Sequence, residues 1–217
     1  MRIIAGMNEN ISFRRLGVMI KSKGYSVKEM AGLCELVPTQ LSSIINGRVQ
    51  PLTDVVAKLC YQLKCYPSEI VSFDGIVINE KYFTDDKREK LPVESSGLLT
   101  YSPFWFFLKE YLEEVNKGKD KKDQKDHNDL FNLIEPPRRK ELSDEQKEQI
   151  KEAAKKSLEA RYGKDHQSKR AARTDYSKGL PLATRSKLRN DKPLNLSVIY
   201  EICKFLGCSI DFVIGYK

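Results

Sequence analysis

Thr39, Gln40 and Ser43 fall on one face of the segment Pro38–Asn46, and Leu41, Ile44 and Ile45 fall on the other. Small hydrogen-bonding side chains on an exposed helix face match the donor and acceptor pattern of base edges in a DNA major groove. The five cysteines are the other residues able to do chemistry: Cys34, Cys60, Cys65, Cys203 and Cys208. Two Cys-x-x-x-x-Cys pairs invite comparison with zinc ligands. Each pair sits inside an apolar helical pattern, however, where cysteine behaves as a small hydrophobe. An odd count without a signal peptide also argues against a disulfide framework. His127 and His166 lie in polar stretches without ligand spacing, and neither a Gly-rich phosphate loop nor a catalytic triad is apparent. No metal, cofactor or catalytic role is expected.

The elements that must position Thr39 and Gln40 are legible around them. Ser26 and Glu29 form a capping box that opens a short helix. Met30, Ala31 and Leu33 give that helix an apolar face, with Ala31 small enough for a close helix crossing. A turn at Cys34–Val37 leads into the helix bearing Thr39, which stops at Asn46-Gly47. The pattern is a helix-turn-helix whose second helix could enter a major groove.

On these residues the segment from about Phe13 to Val71 resembles the Cro and lambda-repressor type of helix-turn-helix, also called the XRE family. The matching strings are FRRLGVMIKSKGYS, SVKEMAGLCE, PTQLSSIING and RVQPLTDVVAKLCYQLKCYPSEIV. The resemblance implies five short helices, the third reading DNA. It also suggests control of a mobile element or prophage.

The C-terminus repeats the pattern. Leu59-Cys60-x-x-Leu63-x-Cys65 recurs as Ile202-Cys203-x-x-Leu206-x-Cys208, an offset of 143 residues. Upstream, Ser42–Gly47 aligns with Ser186–Asp191 at an offset of 144, so one residue is lost after the recognition helix. Repetition of a whole supersecondary unit is stronger evidence than either copy alone. In the second copy Arg185 stands where the first has the inward Leu41. Its second helix is expected at SKRAARTDYSK, with Ala171, Ala172 and Tyr176 inward. Its first helix is expected at SPFWFFLKEYLEEV, capped by Ser102 with Pro103 at the first helical position. SDEQKEQIKEAAKKSLEARYG is the rejected alternative, because its apolar stripe is thin.

The expected fold is therefore all-α, with two helix-turn-helix domains in tandem. Residues 1–75 form the first domain and 76–100 a linker, within which IVINEKYF, Ile76 to Phe83, has the alternation of a short strand or extended arm. Residues 101–217 form the second domain, with a charged insertion at about 115–166. The run Asn116 to Asp129 is expected to be a mobile loop. Leu130, Phe131, Leu133 and Ile134 then make an apolar patch that tucks onto the domain or meets a partner, tucking being preferred.

Charge supports a nucleic-acid partner. The net charge is +8, and residues 161–217 hold 12 Lys and Arg against five Asp and Glu. A basic excess coinciding with a helix-turn-helix is the footprint of phosphate contact. In the first copy, base contacts are expected from Thr39, Gln40 and Ser43, and phosphate contacts from Ser26, Lys28, Asn46 and Arg48. In the second copy, the base set is Ala183, Thr184 and Lys187, and the phosphate set is Lys169, Arg170, Arg189, Asn190 and Lys192. Nothing resembles a membrane span or signal peptide, so a cytoplasmic location is expected. The expected function is a sequence-specific regulator of transcription, a repressor, bound to double-stranded DNA. A protein-binding inhibitor or adaptor on the same scaffold is the alternative, and a homodimer or protein partner stays open.

Overall fold

The first copy begins with Phe13, buried at the foot of helix α1 (Arg14–Ser22), which turns Leu16 and Ile20 into the core. Helix α2 (Val27–Leu33) is opened by the Ser26–Glu29 capping box and buries Met30 and Ala31. Its last residue, Leu33, is expected inward from the sequence but is 46% exposed. Helix α3 (Pro38–Ile45) buries Leu41 and Ile44. Two more helices follow, α4 (Thr53–Leu63) and α5 (Pro67–Ile70). Strand β1 (Ile11–Ser12) pairs antiparallel with β2 (Ser72–Phe73) and closes the copy, Ile11 opposite Phe73. The structure is a computed structural model that describes residues 10–81, 83–84, 86, 98–135 and 179–216.

The second copy repeats this plan. Strand β3 (Leu99–Thr100) pairs with β4 (Gly215–Tyr216), Thr100 opposite Gly215. Helix α6 (Ser102–Asn116) is the aromatic segment expected as the first helix, and it buries Phe104 and Leu108 where α1 buries Leu16 and Ile20. Its cap position is Tyr101, one residue earlier than expected, with Pro103 in the first turn. Helix α7 is His127–Leu133, α8 is Leu182–Arg189 and α9 is Leu196–Leu206, followed by a 3-10 turn at Ile210–Phe212.

Helix α7 corrects the sequence reading. It occupies the place expected for SKRAARTDYSK, whose residues 168–178 lie outside the described residues. Asp126 caps it as Ser26 caps α2, with Asp129 completing the box. Leu130, Phe131 and Ile134 are buried, matching Met30, Ala31 and Cys34, while Leu133 stays exposed like Leu33. The apolar patch thus tucks inward and is itself the second helix. The charged run before it, Asn116 to Asp129, is not simply a loop: it holds a 3-10 turn at Lys121–Asp123 and the start of α7. The insertion expected at about 115–166 accordingly begins later, after Ile134. Among the described residues of Ile76–Phe83 no strand forms; Asn79 N–H donates to Gly207 O (2.6 Å) and Phe83 is buried against Phe212 (5.1 Å).

The two copies share one hydrophobic core, and the described residues belong to one compact unit. Equivalent residues meet where the copies join. Leu52 forms an antiparallel bridge with Asn195, its own counterpart. Ser68 donates through N–H (2.7 Å) and Oγ (2.5 Å) to Asp211, again its counterpart, which is 1% exposed. Contact between a residue and its own equivalent is the mark of an isologous interface, so an approximate two-fold axis runs through these pairs. Near it Tyr101 Oη donates to Lys192 O (3.2 Å), leaving the Thr53 hydroxyl to donate to Tyr101 (2.8 Å) and to accept from Leu194 N–H (3.0 Å). Each buried polar atom of this cluster is thereby satisfied, as burial requires.

Candidate nucleic-acid interface

Helices α2 and α3 are held at a fixed angle by a tight turn. Leu36 N–H donates to Ala31 O (2.8 Å), and Glu35 carries the reversal with φ 57°. The Glu35 carboxylate takes a hydrogen bond from Lys58 of α4, which holds it below the usual carboxylate range. Pro38 starts α3 at a position where its missing N–H costs nothing.

Thr39 and Gln40 are exposed at the N-terminal end of α3, as a base-reading position demands. Ser43 is half-buried and donates its hydroxyl proton to Thr39 O (2.8 Å), so toward a base it can act only as an acceptor. Asn46 caps the helix, and Arg48 extends from the following turn, its N–H bonded to Ser43 O (2.8 Å); both side chains are exposed. Lys28 is exposed on α2. Ser26 is exposed too, but its N–H is committed to Glu29 (2.8 Å) and its hydroxyl oxygen accepts from Glu29 N–H (3.2 Å). Only the Ser26 hydroxyl proton remains to meet a phosphate. The Glu29 carboxylate is depressed in pKa by these bonds from Ser26.

The second copy rebuilds the same turn across a long interruption. Leu180 N–H donates to Phe131 O (2.8 Å), the counterpart of the Leu36 bond. Gly179 stands where Glu35 stands, with φ 110°. Copy one passes from α2 to α3 through four residues; copy two leaves after Ile134 and returns at Gly179 with the two helices still joined by the equivalent hydrogen bond. Arg185 closes the joint: Nε donates to Leu180 O (2.8 Å), Nη2 donates to Asn132 Oδ1 (2.7 Å), and the guanidinium lies 5.4 Å from the Phe131 ring centroid. The pair Ala31 and Leu41 of copy one has become Phe131 and Arg185. The larger ring takes the space, and the longer side chain lies over it as a cation on an aromatic face. Burial, then the neighbouring charge of Arg189, pushes the guanidinium pKa down, yet a group starting so high stays charged.

On α8, Ala183 and Lys187 are exposed and Thr184 is half-buried. Arg189 meets His127 Nε2 (3.1 Å), Asn190 donates to Ser186 O (2.7 Å), and the exposed Lys192 is the counterpart of Arg48, with its N–H on Lys187 O (2.9 Å). Lys169 and Arg170 lie outside the described residues and do not belong to α7, the helix that fills the role assigned to their segment. From the sequence Arg185 stands out only as a charge at an inward position, and its partner Asn132 and the turn residue Gly179 do not stand out at all. A signal was available in Asp126-x-x-Asp129, a capping pattern directly ahead of an apolar run.

The Cro/C1-type HTH DNA-binding domain family matches residues 15–75 and, a second time, residues 177–216. The first match covers helices α1 to α5, and the second covers α8, α9 and the chain that follows them. No curated protein and no solved structure matches the chain. A Cro/C1-type domain indicates a DNA-binding regulator, and regulation through DNA is what the exposed faces of α3 and α8 fit. The five cysteines lie in the Cro/C1-type cores, all buried. Burial pushes the Cys34 thiol up to about 11, and burial followed by the adjacent Cys65 or Cys208 raises Cys60 and Cys203 well above the ordinary thiol value. These thiols stay protonated at neutral pH. No described helix is long and apolar enough to cross a membrane.

Proposed function

We propose that this chain regulates transcription by binding duplex DNA as a single-chain pseudo-dimer, repressing by occlusion of a promoter. The observation that carries this reading is the contact between equivalent residues, Leu52 with Asn195 and Ser68 with Asp211. A two-fold relation between the copies relates α3 to α8 in the same way. Two-fold-related recognition helices call for half-sites in inverted orientation, about 34 Å apart for successive major grooves on one face. The recognition strings differ, PTQLSS against LATRSK, so the half-sites differ in sequence. Covalent linkage makes the second contact intramolecular and raises avidity over either copy alone.

Base contacts are assigned to Thr39, Gln40 and Ser43 in one half-site and to Ala183, Thr184 and Lys187 in the other. Phosphate contacts are assigned to Ser26, Lys28, Asn46 and Arg48, and to Arg189, Asn190 and Lys192. Selection of bound sequences from a random duplex pool tests the proposal. Two unlike motifs, inverted and at fixed spacing, are expected. A single motif, or a direct repeat, contradicts the two-fold reading. Binding to a protein target with no affinity for duplex DNA at low salt establishes the adaptor instead.

A further inference from the structure

We propose that the loop between α6 and α7 is a phosphate clamp that grips the DNA backbone beside the second half-site. This rests on the DNA-binding reading above and names a contact surface that only the second copy possesses. In copy one, Gly24 (φ 81°) follows the cap residue of α1 and only Tyr25 stands between it and the cap Ser26. In copy two, the matching Gly118 (φ 78°) follows the cap residue of α6, and the string KDKKDQK, residues 119–125, stands before the cap Asp126. Lys119, Lys121, Lys122 and Lys125 outnumber Asp120 and Asp123, and all are exposed. Among the described residues none of the four lysines is in an ion pair.

The loop has a defined shape. Asn116 Nδ2 donates to Lys125 O (2.8 Å) and Lys125 N–H returns a bond to Asn116 Oδ1 (2.8 Å). Gln124 Nε2 donates to Lys119 O (3.1 Å), and Lys119 N–H to Asn116 O (3.0 Å). The lysines are therefore presented on a pinned backbone, which lowers the ordering entropy that a phosphate contact must overcome.

Position selects the partner. In a helix-turn-helix the first helix crosses the DNA backbone while the second lies in the groove. In copy one that first helix offers the Ser26 hydroxyl and Lys28. In copy two both are replaced: the Asp126 carboxylate fills the helix terminus by accepting from Asn128 N–H (2.8 Å) and Asp129 N–H (2.9 Å), and Asn128 stands in place of Lys28. A carboxylate at that end repels phosphate. The cations missing from α7 reappear on the loop just before it, and Arg189 of α8 touches His127 at the junction (3.1 Å). The loop thus supplies cations in the chain ahead of the α7 cap, and Arg189 supplies one where α8 meets α7.

The test uses the full-length chain and the duplex selected for it. Affinity is read by fluorescence anisotropy between about 50 and 200 mM salt, the range over which counterion release is steep. Lys121→Ala/Lys122→Ala/Lys125→Ala is expected to flatten the log affinity against log salt slope by roughly one for each phosphate left unneutralised. It also removes backbone protection flanking the second half-site, and only there. The triple arginine variant at the same positions keeps the slope. Lys64→Ala/Lys204→Ala, which removes cations outside either helix-turn-helix, leaves it near wild type. An unchanged slope and footprint in the triple alanine variant overturn the clamp while leaving the DNA-binding reading intact. A flattening equal to that of the Lys64 and Lys204 control reduces the effect to net charge and overturns it as well. A wild-type chain that does not bind duplex DNA at all overturns both.

Discussion

Arg185→Ala removes the group that joins the two helices of the second helix-turn-helix. Asn132 is exposed and re-bonds to water, so little is lost on that side. Leu180 is fully buried, and its carbonyl is left with the desolvation cost of an unmade hydrogen bond, about 1–3 kcal/mol. The cation over the Phe131 ring contributes about 0.5–2 kcal/mol more. The expected loss is therefore about 1.5–5 kcal/mol, read as a fall in the urea midpoint monitored by Trp105, the only tryptophan of the chain. Trp105 reports on this joint because its Nε1 donates to Leu188 O of α8 (3.3 Å). Arg185→Leu restores the residue type that copy one uses at Leu41, yet the Leu180 carbonyl still goes unmet, so about 1–3 kcal/mol of loss remains. On DNA, both variants lose protection of the second half-site before the first. Wild-type stability in Arg185→Leu would refute the reasoning, because it would show that the buried charge is worth no more than a hydrophobe of similar size.

Gly179→Ala places a Cβ 2.5 Å from Asn132 Cα and Phe131 O, both backbone atoms, at φ 110°; a cost of about 2 kcal/mol or more is expected in the same urea assay. Gly47→Ala has open space around it and only the left-handed φ to bear, so a loss of about 1 kcal/mol serves as its control. Gln40→Ala relaxes preference at one base of the selected site by about 1–3 kcal/mol, whereas Arg48→Ala weakens all sequences alike, both read by competition binding. The carboxyls of Glu29, Glu35 and Asp126 have folded pKa values below their ordinary ones. Depressed carboxyls stabilise the fold above the unfolded pKa, and that contribution disappears as pH falls through the lower folded value. Stability should therefore decline below about pH 4.5, and Glu29→Gln should lose less than wild type over that range in urea melts.

Copy one was legible because its local signals, Leu33 apart, agreed: the Ser26 box, the Ala31 crossing, the Leu41 and Ile44 stripe and the Asn46-Gly47 stop. The repeat was legible because Cys60 and Cys65 recur as Cys203 and Cys208 in one unbroken stretch. The second helix of copy two was misplaced for a physical reason. Sequence proximity to α8 favoured SKRAARTDYSK, but burial favours Leu130, Phe131 and Ile134, which supply the apolar volume that Ala171 and Ala172 lack. A turn can be interrupted at length when the returning chain re-forms the same hydrogen bond, as Leu180 does with Phe131 O. Arg185 looked like a defect at an inward position because its partners, Leu180 O, Asn132 and Phe131, are brought together only by the fold. The two-fold contacts at Leu52, Asn195, Ser68 and Asp211 carry no local pattern and could not be read from the chain.

Stoichiometry on the selected duplex tests the single-chain pseudo-dimer most directly. The mass of the complex, taken by light scattering or native mass spectrometry, should correspond to one chain per duplex. Footprinting of that complex should protect two unlike, inverted half-sites together. Two chains per duplex, each protecting one half-site through residues 15–75 while α8 leaves the DNA unprotected, would contradict it.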